Sequence, residues 1–226
     1  MKTQPATRGK ARILLVDDHP ITRDGLALLI AREKDLSICA QAGTAEEALA
    51  FVEKQALDLV LTDLSLPDKS GLELIRDMKA IKPALKVLVL SMHDEEHYAE
   101  RALRAGAAGY IMKVEGGEKL VAAIHHVLAG ETYVSQNISS RILRGFTGRP
   151  SHEVAPPVGQ LSDREFEVFS LLGSGLPTLA IGQRLHISAK TVEAHRSNIK
   201  AKLGLGTAAE LIAYAARWIT GGGGRG

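Results

Sequence analysis

Five short, β-rich apolar runs punctuate the first half of the 226-residue chain, at residues 13–16, 36–40, 59–61, 87–90 and 110–112. Apolar runs of this length suit strands buried on both faces, because a half-solvated strand would alternate apolar and polar side chains. Longer amphipathic stretches separate them and carry helix start and stop signals. Thr44-Ala-Glu-Glu47 is a capping box, with Thr44 as N-cap and Glu47 at the third helical position. Lys82-Pro83 closes one helix, and Gly106, after Ala102, Leu103 and Ala105, is the C-cap of another. Five strands alternating with five helices predict a doubly wound α/β fold around a five-stranded parallel sheet.

Four of the runs pass directly into polar residues. The first leads to Asp17-Asp18, the third to Asp63, the fourth to Ser91 and the fifth to Lys113. Right-handed crossovers put the carboxyl ends of parallel strands on one edge of the sheet, where open α/β folds bind ligands. Three carboxylates, a hydroxyl and an ammonium are therefore expected to converge. Two carboxylates ~4 Å apart repel by about 4 kcal/mol at an effective dielectric of about 20, and three raise one another's pKa unless a cation intervenes. Mg²⁺, or Mn²⁺ in its place, fits: it takes carboxylate oxygens, keeps several waters and accepts phosphate as a further ligand. Asp17 and Asp18 would hold the metal directly or through water. Asp63 is then a carboxylate nucleophile able to form an aspartyl-phosphate. Lys113 neutralises phosphoryl oxygens in the transition state, and Ser91 donates a hydrogen bond to the bound group.

Asp17-Asp18-His19-Pro20, Leu61-Thr-Asp63-Leu64-Ser-Leu-Pro67, Ser91 and Gly106-Ala-Ala-Gly-Tyr-Ile-Met-Lys113 resemble the receiver domain of two-component response regulators, across residues 11–130. The resemblance implies a flavodoxin-like sheet of order 2-1-3-4-5. It also implies that Asp63 takes its phosphate from a histidine kinase's phosphohistidine, with Mg²⁺ held by Asp18, Asp63 and a backbone carbonyl. Ser91 and Tyr110 become the switch pair: phosphorylation draws the hydroxyl inward, the aromatic ring follows, and the face around the fourth helix and fifth strand is remodelled. Ser65 and His93 fall two residues beyond Asp63 and Ser91, where family members tune the lifetime of the phosphoryl group. Val114 departs from the proline that many receivers place after the lysine; the subfamily with LuxR-type DNA-binding domains commonly lacks it. Aspartyl-phosphate chemistry also runs phosphatases and phosphomutases of the haloacid-dehalogenase type. Those carry a second acid two residues after the nucleophile, where this chain has Ser65, so no enzyme activity is expected beyond self-phosphotransfer and autodephosphorylation at Asp63.

A formal net charge of +2 argues against a polyanionic partner only if charge is spread evenly. It is not: residues 1–130 hold 17 Lys+Arg and 19 Asp+Glu, whereas residues 131–226 hold 11 and 7. Such asymmetry points to separate roles. Between the halves, residues 145–159 contain three prolines and three glycines and read as part of a semi-extended linker over residues 131–158. The glycine-rich end, residues 221–226, reads as a flexible tail. No apolar run approaches the ~18–20 residues that cross a bilayer, and the apolar stretch after the basic N-terminus is too short for a signal-peptide core. A single cysteine, Cys39, suits a reducing cytosol, so a cytoplasmic protein without a membrane partner is expected.

From Leu161 onward the chain reads as four short helices. Ser162-Asp-Arg-Glu165 and Thr207-Ala-Ala-Glu210 are capping boxes, and Ser188 caps a helix running to about Leu203. That third helix carries Lys190, Arg196, Lys200 and Lys202 against Glu193, with Thr191, His195 and Asn198 beside the bases and Val192, Ile199 and Leu203 on the opposite side. A basic amphipathic helix after a tight turn is what major-groove insertion requires, bases meeting phosphates and polar groups reaching base edges. Leu161-Ser-Asp-Arg-Glu165, Ile187-Ser-Ala-Lys-Thr-Val-Glu-Ala-His195 and Asn198-Ile-Lys-Ala-Lys-Leu203 resemble the LuxR-type helix-turn-helix, giving a DNA-binding domain over residues 159–220. The resemblance implies a recognition helix at 189–203, promoter DNA as partner, and homodimerisation on activation through the last helix, with Leu211, Ile212, Ala215 and Trp218 as candidates. Leu179 stands where the family has a DNA-touching lysine, and Gly206-Thr207 where a basic residue is common. An output through protein contacts rather than DNA is the alternative those two departures leave.

Overall fold

The computed structural model describes residues 9–147 and 157–221. The chain forms two compact units, residues 1–136 and 137–226. In the first, β1 (Ala11–Val16), β2 (Leu36–Ala42), β3 (Leu59–Thr62), β4 (Lys86–Ser91) and β5 (Gly109–Met112) build one parallel sheet of order β2-β1-β3-β4-β5. Helices α1 (Pro20–Ile30), α2 (Ala45–Lys54), α3 (Gly71–Ile81), α4 (Glu95–Ala105) and α5 (Gly117–Ala129) alternate with the strands as expected. Alternate strand residues divide between two faces. Ile13, Leu15, Leu59, Leu61, Leu88, Leu90 and Ile111 share a core with Ile30 of α1 and Leu120, Ala123, Ile124 and Val127 of α5. Leu14, Val16, Val60, Val87 and Val89, which point the other way, are buried to the same degree. Burial on both faces is why these runs do not alternate.

The caps hold with one variation. Thr44 accepts from the N–H of Glu47 at 3.2 Å, but the Glu47 carboxylate returns to the N–H of Gly43 at 2.7 Å. The N–H groups of Ala45 and Glu46 are taken instead by Asp68, at 2.9 and 3.0 Å. Asp68 lies in the loop after β3, so a carboxylate at the positive end of α2 ties that loop to its neighbour. Gly106 adopts φ 107° at the end of α4, the left-handed cap expected of it.

After α5 the chain turns back along β5. The N–H of Tyr110 donates to the carbonyl of Tyr133 at 2.8 Å, and the N–H of Tyr133 donates to the carbonyl of Ala108 at 3.1 Å. A side chain at Gly109 would put its Cβ 2.7 Å from that Tyr133 oxygen, so the approach needs glycine. Residues 136–147, expected as linker, form α6 (Gln136–Thr147). The prolines that bar a helix begin only at Pro150. The proline-bearing stretch 148–156, the N-terminal residues 1–8 and the glycine-rich end 222–226 lie outside the described residues.

In the second unit a 3-10 turn (Pro157–Gln160) leads to α7 (Asp163–Gly173), α8 (Thr178–Arg184), α9 (Ala189–Leu203) and α10 (Ala208–Thr220). Both expected capping boxes are complete, at Ser162/Glu165 and Thr207/Glu210, and Ser188 accepts from the N–H of Thr191 at 3.0 Å. Trp218 of α10 meets Phe166 and Phe169 of α7 edge-on, with ring centroids 5.5 and 5.7 Å apart. Such contacts favour edge-to-face rings and add to the area they bury.

Candidate functional site

The carboxyl ends of β1, β3 and β5 bring Asp17, Asp63 and Lys113 together. Lys113 Nζ lies 2.6 Å from Oδ2 of Asp17 and 2.6 Å from Oδ2 of Asp63. The two carboxylates are 1% and 5% exposed, so each depends on this shared ammonium for counter-charge. Burial alone would depress the Lys113 pKa, but the adjoining charges and hydrogen bonds of Asp63 and Asp17 outweigh it and hold the group above 10.5. A pKa raised by folding contributes stability that is complete below the free-lysine value and lost as pH rises through the folded one. Lys113→Met, which leaves two buried carboxylates unpaired, is expected to lower stability by about 3–5 kcal/mol at neutral pH. In thermal unfolding, the gap between wild type and variant should shrink as pH climbs above 10.5; a gap constant to strongly alkaline pH would contradict this account.

The Asp63 loop is positioned by backbone. Oδ1 of Asp63 accepts from the N–H of Leu64 at 2.6 Å and of Ser65 at 3.4 Å, and its own N–H donates to the Val16 carbonyl at 2.9 Å. Gly71, at the start of α3, donates to the Leu64 carbonyl at 2.9 Å. An added Cβ there would fall 2.4 Å from Leu64 Cα and 2.7 Å from the Asp63 oxygen. Gly71 belongs to none of the sequence motifs; a glycine shortly after a candidate nucleophile is the one signal that points to it. Arg23 donates to the Asp17 carbonyl.

Asp18 stands beside Asp17, and His19 joins them. His19 Nδ1 is 2.6 Å from Oδ1 of Asp18 and 3.4 Å from Oδ1 of Asp17. Ligand-type atoms of Asp17, Asp18 and His19 lie within 4.8 Å of one another. Asp63 connects to this group through Lys113. The paired carboxylates of Asp17 and Asp18, the first of them buried, fit a hard divalent cation. The direct grouping of His19 with the pair goes beyond the sequence expectation, whose only side-chain ligands were carboxylates.

Ser91, the last residue of β4, is wholly buried, and its Oγ accepts from the N–H of His93 at 3.2 Å. Tyr110 is 1% exposed, and its hydroxyl donates to the His93 carbonyl at 2.8 Å. Burial pushes the Tyr110 hydroxyl well above its ordinary pKa, against a smaller opposing effect of its hydrogen bond with Ser91. The ring that the resemblance moves inward on phosphorylation therefore already lies inside. His93 Nε2 lies 3.0 Å from Ser65 Oγ, and its ring stacks on Tyr98 at 4.5 Å.

On α9, Lys190, Thr191 and Asn198 are exposed, His195, Arg196 and Lys200 are half-buried, and Val192 and Ile199 are buried. Arg196 Nη1 donates to Glu193 and to the Thr178 hydroxyl, both at 2.6 Å, tying α9 to the start of α8. Lys202 reaches the buried carboxylate of Glu165 at 2.6 Å, the same oxygen that accepts from the Ser162 N–H at 2.8 Å. Burial would raise the Glu165 pKa, but the Lys202 hydrogen bond, supported by Ser162, brings it below 4.5. That stability is present above pH 4.5 and lost as pH falls through the folded value. Glu165→Ala removes a cap and a charge-assisted bond together, an expected loss of about 1–3 kcal/mol. Fluorescence of Trp218, the sole tryptophan, reports it in a urea titration; an unchanged midpoint would show that Lys202 does not brace the cap.

Of the four residues expected at a dimer face on α10, Leu211 and Ala215 are buried, and half-buried Trp218 packs on two phenylalanines. Ile212, 42% exposed, remains on the outer face of α10. Leu179 on α8 is 71% exposed. No described helix is long and apolar enough to cross a membrane.

A lysine-bridged carboxylate site on a doubly wound sheet, joined in one chain to a basic helix-turn-helix, defines a two-part regulator. Residues 13–125 match the response regulator receiver domain, and residues 159–215 match the bacterial regulatory proteins of the luxR family. The oxygen regulatory protein NreC of Staphylococcus aureus is 36% identical over 208 residues, covering 90% of this chain and 96% of that protein. A LuxR-family two-component response regulator from Aurantimonas sp. SI85-9A1 is 37% identical with a TM-score of 0.57, covering 62% of this chain and 99% of its own. RcsB of Salmonella enterica serovar Typhimurium, solved bound to promoter P1flhDC with the phosphomimetic BeF3-, shares the fold at 23% identity and a TM-score of 0.61, covering 92% of this chain and 99% of its own. The chain belongs to the two-component response regulators that carry a receiver domain and a LuxR-type DNA-binding domain.

Proposed function

We infer that phosphorylation of Asp63 by a cognate histidine kinase controls binding of this cytoplasmic regulator to promoter DNA. The observation carrying this reading is the Lys113 ammonium, 2.6 Å from both Asp17 and Asp63. It is a counter-charge already in place beside a buried nucleophile. In transfer, an Asp63 oxygen forms the new O–P bond as the N–P bond of phosphohistidine breaks, and the departing imidazole keeps that electron pair. A divalent cation, Mg²⁺ or Mn²⁺, held by Asp17, Asp18 and Asp63 supplies neutralisation of the phosphoryl oxygens when bound. Lys113 follows the negative charge from carboxylate to phosphoryl group, and the Ser91 hydroxyl turns to donate to it. In autodephosphorylation a water oxygen forms a new bond to phosphorus as the O–P bond to Asp63 breaks, restoring the carboxylate and releasing inorganic phosphate, with Ser65 and His93 beside the site to tune the rate.

The backbone of His93 links the switch pair, its N–H held by Ser91 and its carbonyl by Tyr110. Re-aiming Ser91 therefore disturbs the residue that anchors the Tyr110 hydroxyl. The functional division is a receiver over 11–130, a linker over 131–158 and a DNA reader over 159–220. Lys190, Thr191 and Asn198 stand outermost for DNA, with His195 and Lys200 beside them, while Arg196 and Lys202 brace the helix. A homodimer, of the kind described for RcsB on DNA, would place two α9 helices about one helical turn apart, with Ile212 on the outer face.

Selection from random DNA by the phosphorylated protein tests the reading: one sequence family should be enriched, and none enriched at low salt would overturn it. On the selected site, Lys190→Ala should reduce the salt-dependence slope by about 0.9 for each phosphate left without its lysine. Lys202→Ala should leave the slope nearly unchanged, and equal effects of the two would overturn the assignment of Lys202 to the scaffold.

A further inference from the structure

We propose that His19 adds a nitrogen ligand to the carboxylates that hold the cation, and that its imidazole biases the site from Mg²⁺ toward first-row transition ions, with Mn²⁺ the least favoured of them. This rests on the cation reading above and adds to it a nitrogen donor. Three features place the ring. The His19 N–H donates to Oδ1 of Asp17 at 2.8 Å, anchoring the backbone to one carboxylate. Pro20 follows, and a residue before proline is confined to extended backbone; His19 has φ −93° and ψ 108°. At the N-cap of α1 its side chain makes no capping hydrogen bond, and Nδ1 instead lies 2.6 Å from Asp18. The ring is thus fixed at its base and turned to the carboxylates rather than to the helix.

The choice of metal follows from donor chemistry. Mg²⁺ requires hard oxygen ligands and retains its waters, so an imidazole adds little for it. First-row transition ions accept imidazole nitrogen, with affinity rising from Mn²⁺ toward Cu²⁺. Nδ1 at 2.6 Å from Asp18 shares a proton with it, so binding an ion through Nδ1 releases that proton as the metal takes its place; the side chain, 68% exposed, has room to turn, and His19→Ala is safe for folding.

The full-length protein is titrated with Mn²⁺ alone, binding being read from loss of the free-ion electron paramagnetic resonance signal. Electron spin-echo modulation of the bound ion reports any directly bonded ¹⁴N, and Mg²⁺ affinity comes from competition. The wild type should show ¹⁴N modulation. His19→Ala should lose it and bind Mn²⁺ about tenfold more weakly, with Mg²⁺ affinity nearly unchanged. Mn²⁺ binding that disappears in Asp18→Asn but carries no ¹⁴N modulation in the wild type would overturn the His19 assignment alone. Equal weakening of Mn²⁺ and Mg²⁺ by His19→Ala would do the same, since His19 would then act only by charge. Failure of the wild type to bind Mn²⁺ at all would remove the cation reading and this inference with it.

Discussion

Incubated with Mg²⁺ and acetyl phosphate, the wild-type protein is expected to gain one acyl-phosphate, and Asp63→Asn to gain none. The substitution is nearly isosteric. Asparagine keeps an oxygen that can accept from the Leu64 N–H, now 2.6 Å from Oδ1 of Asp63, and Lys113 keeps Asp17 as partner. It removes one of two buried negative charges that share a single ammonium, so the fold should survive while labelling falls by at least about 100-fold, beyond any effect of mispositioning. Intact mass and peptide mapping under acidic conditions read the outcome, with thermal unfolding as the control for folding. Equal labelling of the two proteins would sink the assignment of Asp63. Labelling of Asp17 in the variant would show instead that the nucleophile is chosen by access and not by the lysine.

Gly71→Ala should be nearly as damaging, although the residue carries no chemistry. The new Cβ would sit 2.4 Å from Leu64 Cα and 2.8 Å from the Leu64 carbonyl oxygen. Both are backbone atoms, which cannot swing aside as a side-chain tip can. Either α3 or the loop bearing Asp63 must move. Overpacking of this kind typically lowers stability by about 1–3 kcal/mol, occasionally more. A displacement of about 1 Å at a reacting group can slow its reaction by about 100-fold. Acetyl phosphate labelling should therefore slow far more than the stability loss alone would produce. A variant less stable but labelled at the wild-type rate would show that α3 yields and the loop does not.

Much of the receiver could be read from residue types alone because burial on both faces leaves its strands without polar interruption until they emerge at the sheet edge. Asp17, Asp63, Ser91 and Lys113 mark those emergence points. Features made by backbone proximity were not legible. The seat of Gly71 against Leu64 and the return of Tyr133 along β5 depend on loops whose paths no periodicity encodes. Asp68 capping α2 joins residues 22 and 23 positions apart, and an isolated aspartate says nothing of such a reach. On α10, Leu211 and Ile212 are neighbours of one chemical type, and only the packed structure shows the first buried and the second 42% exposed. The bond from Lys202 to the buried Glu165 on α7 was likewise invisible, because charge alone does not say which acid a lysine will reach.

The return of Tyr133 along β5 also governs what this sheet can join. β5 is an edge strand, and an open edge is a template for strands from other chains. A sixth strand would need the outward N–H groups of Tyr110 and Met112. Tyr110 gives its proton to the Tyr133 carbonyl, and Met112 gives its own to the Glu115 carboxylate at 3.3 Å. That margin is closed to β-augmentation, and with it one route to edge-to-edge aggregation. Self-association along this side must therefore proceed through side chains and helix surfaces, whose contacts can be made and broken without unzipping a sheet.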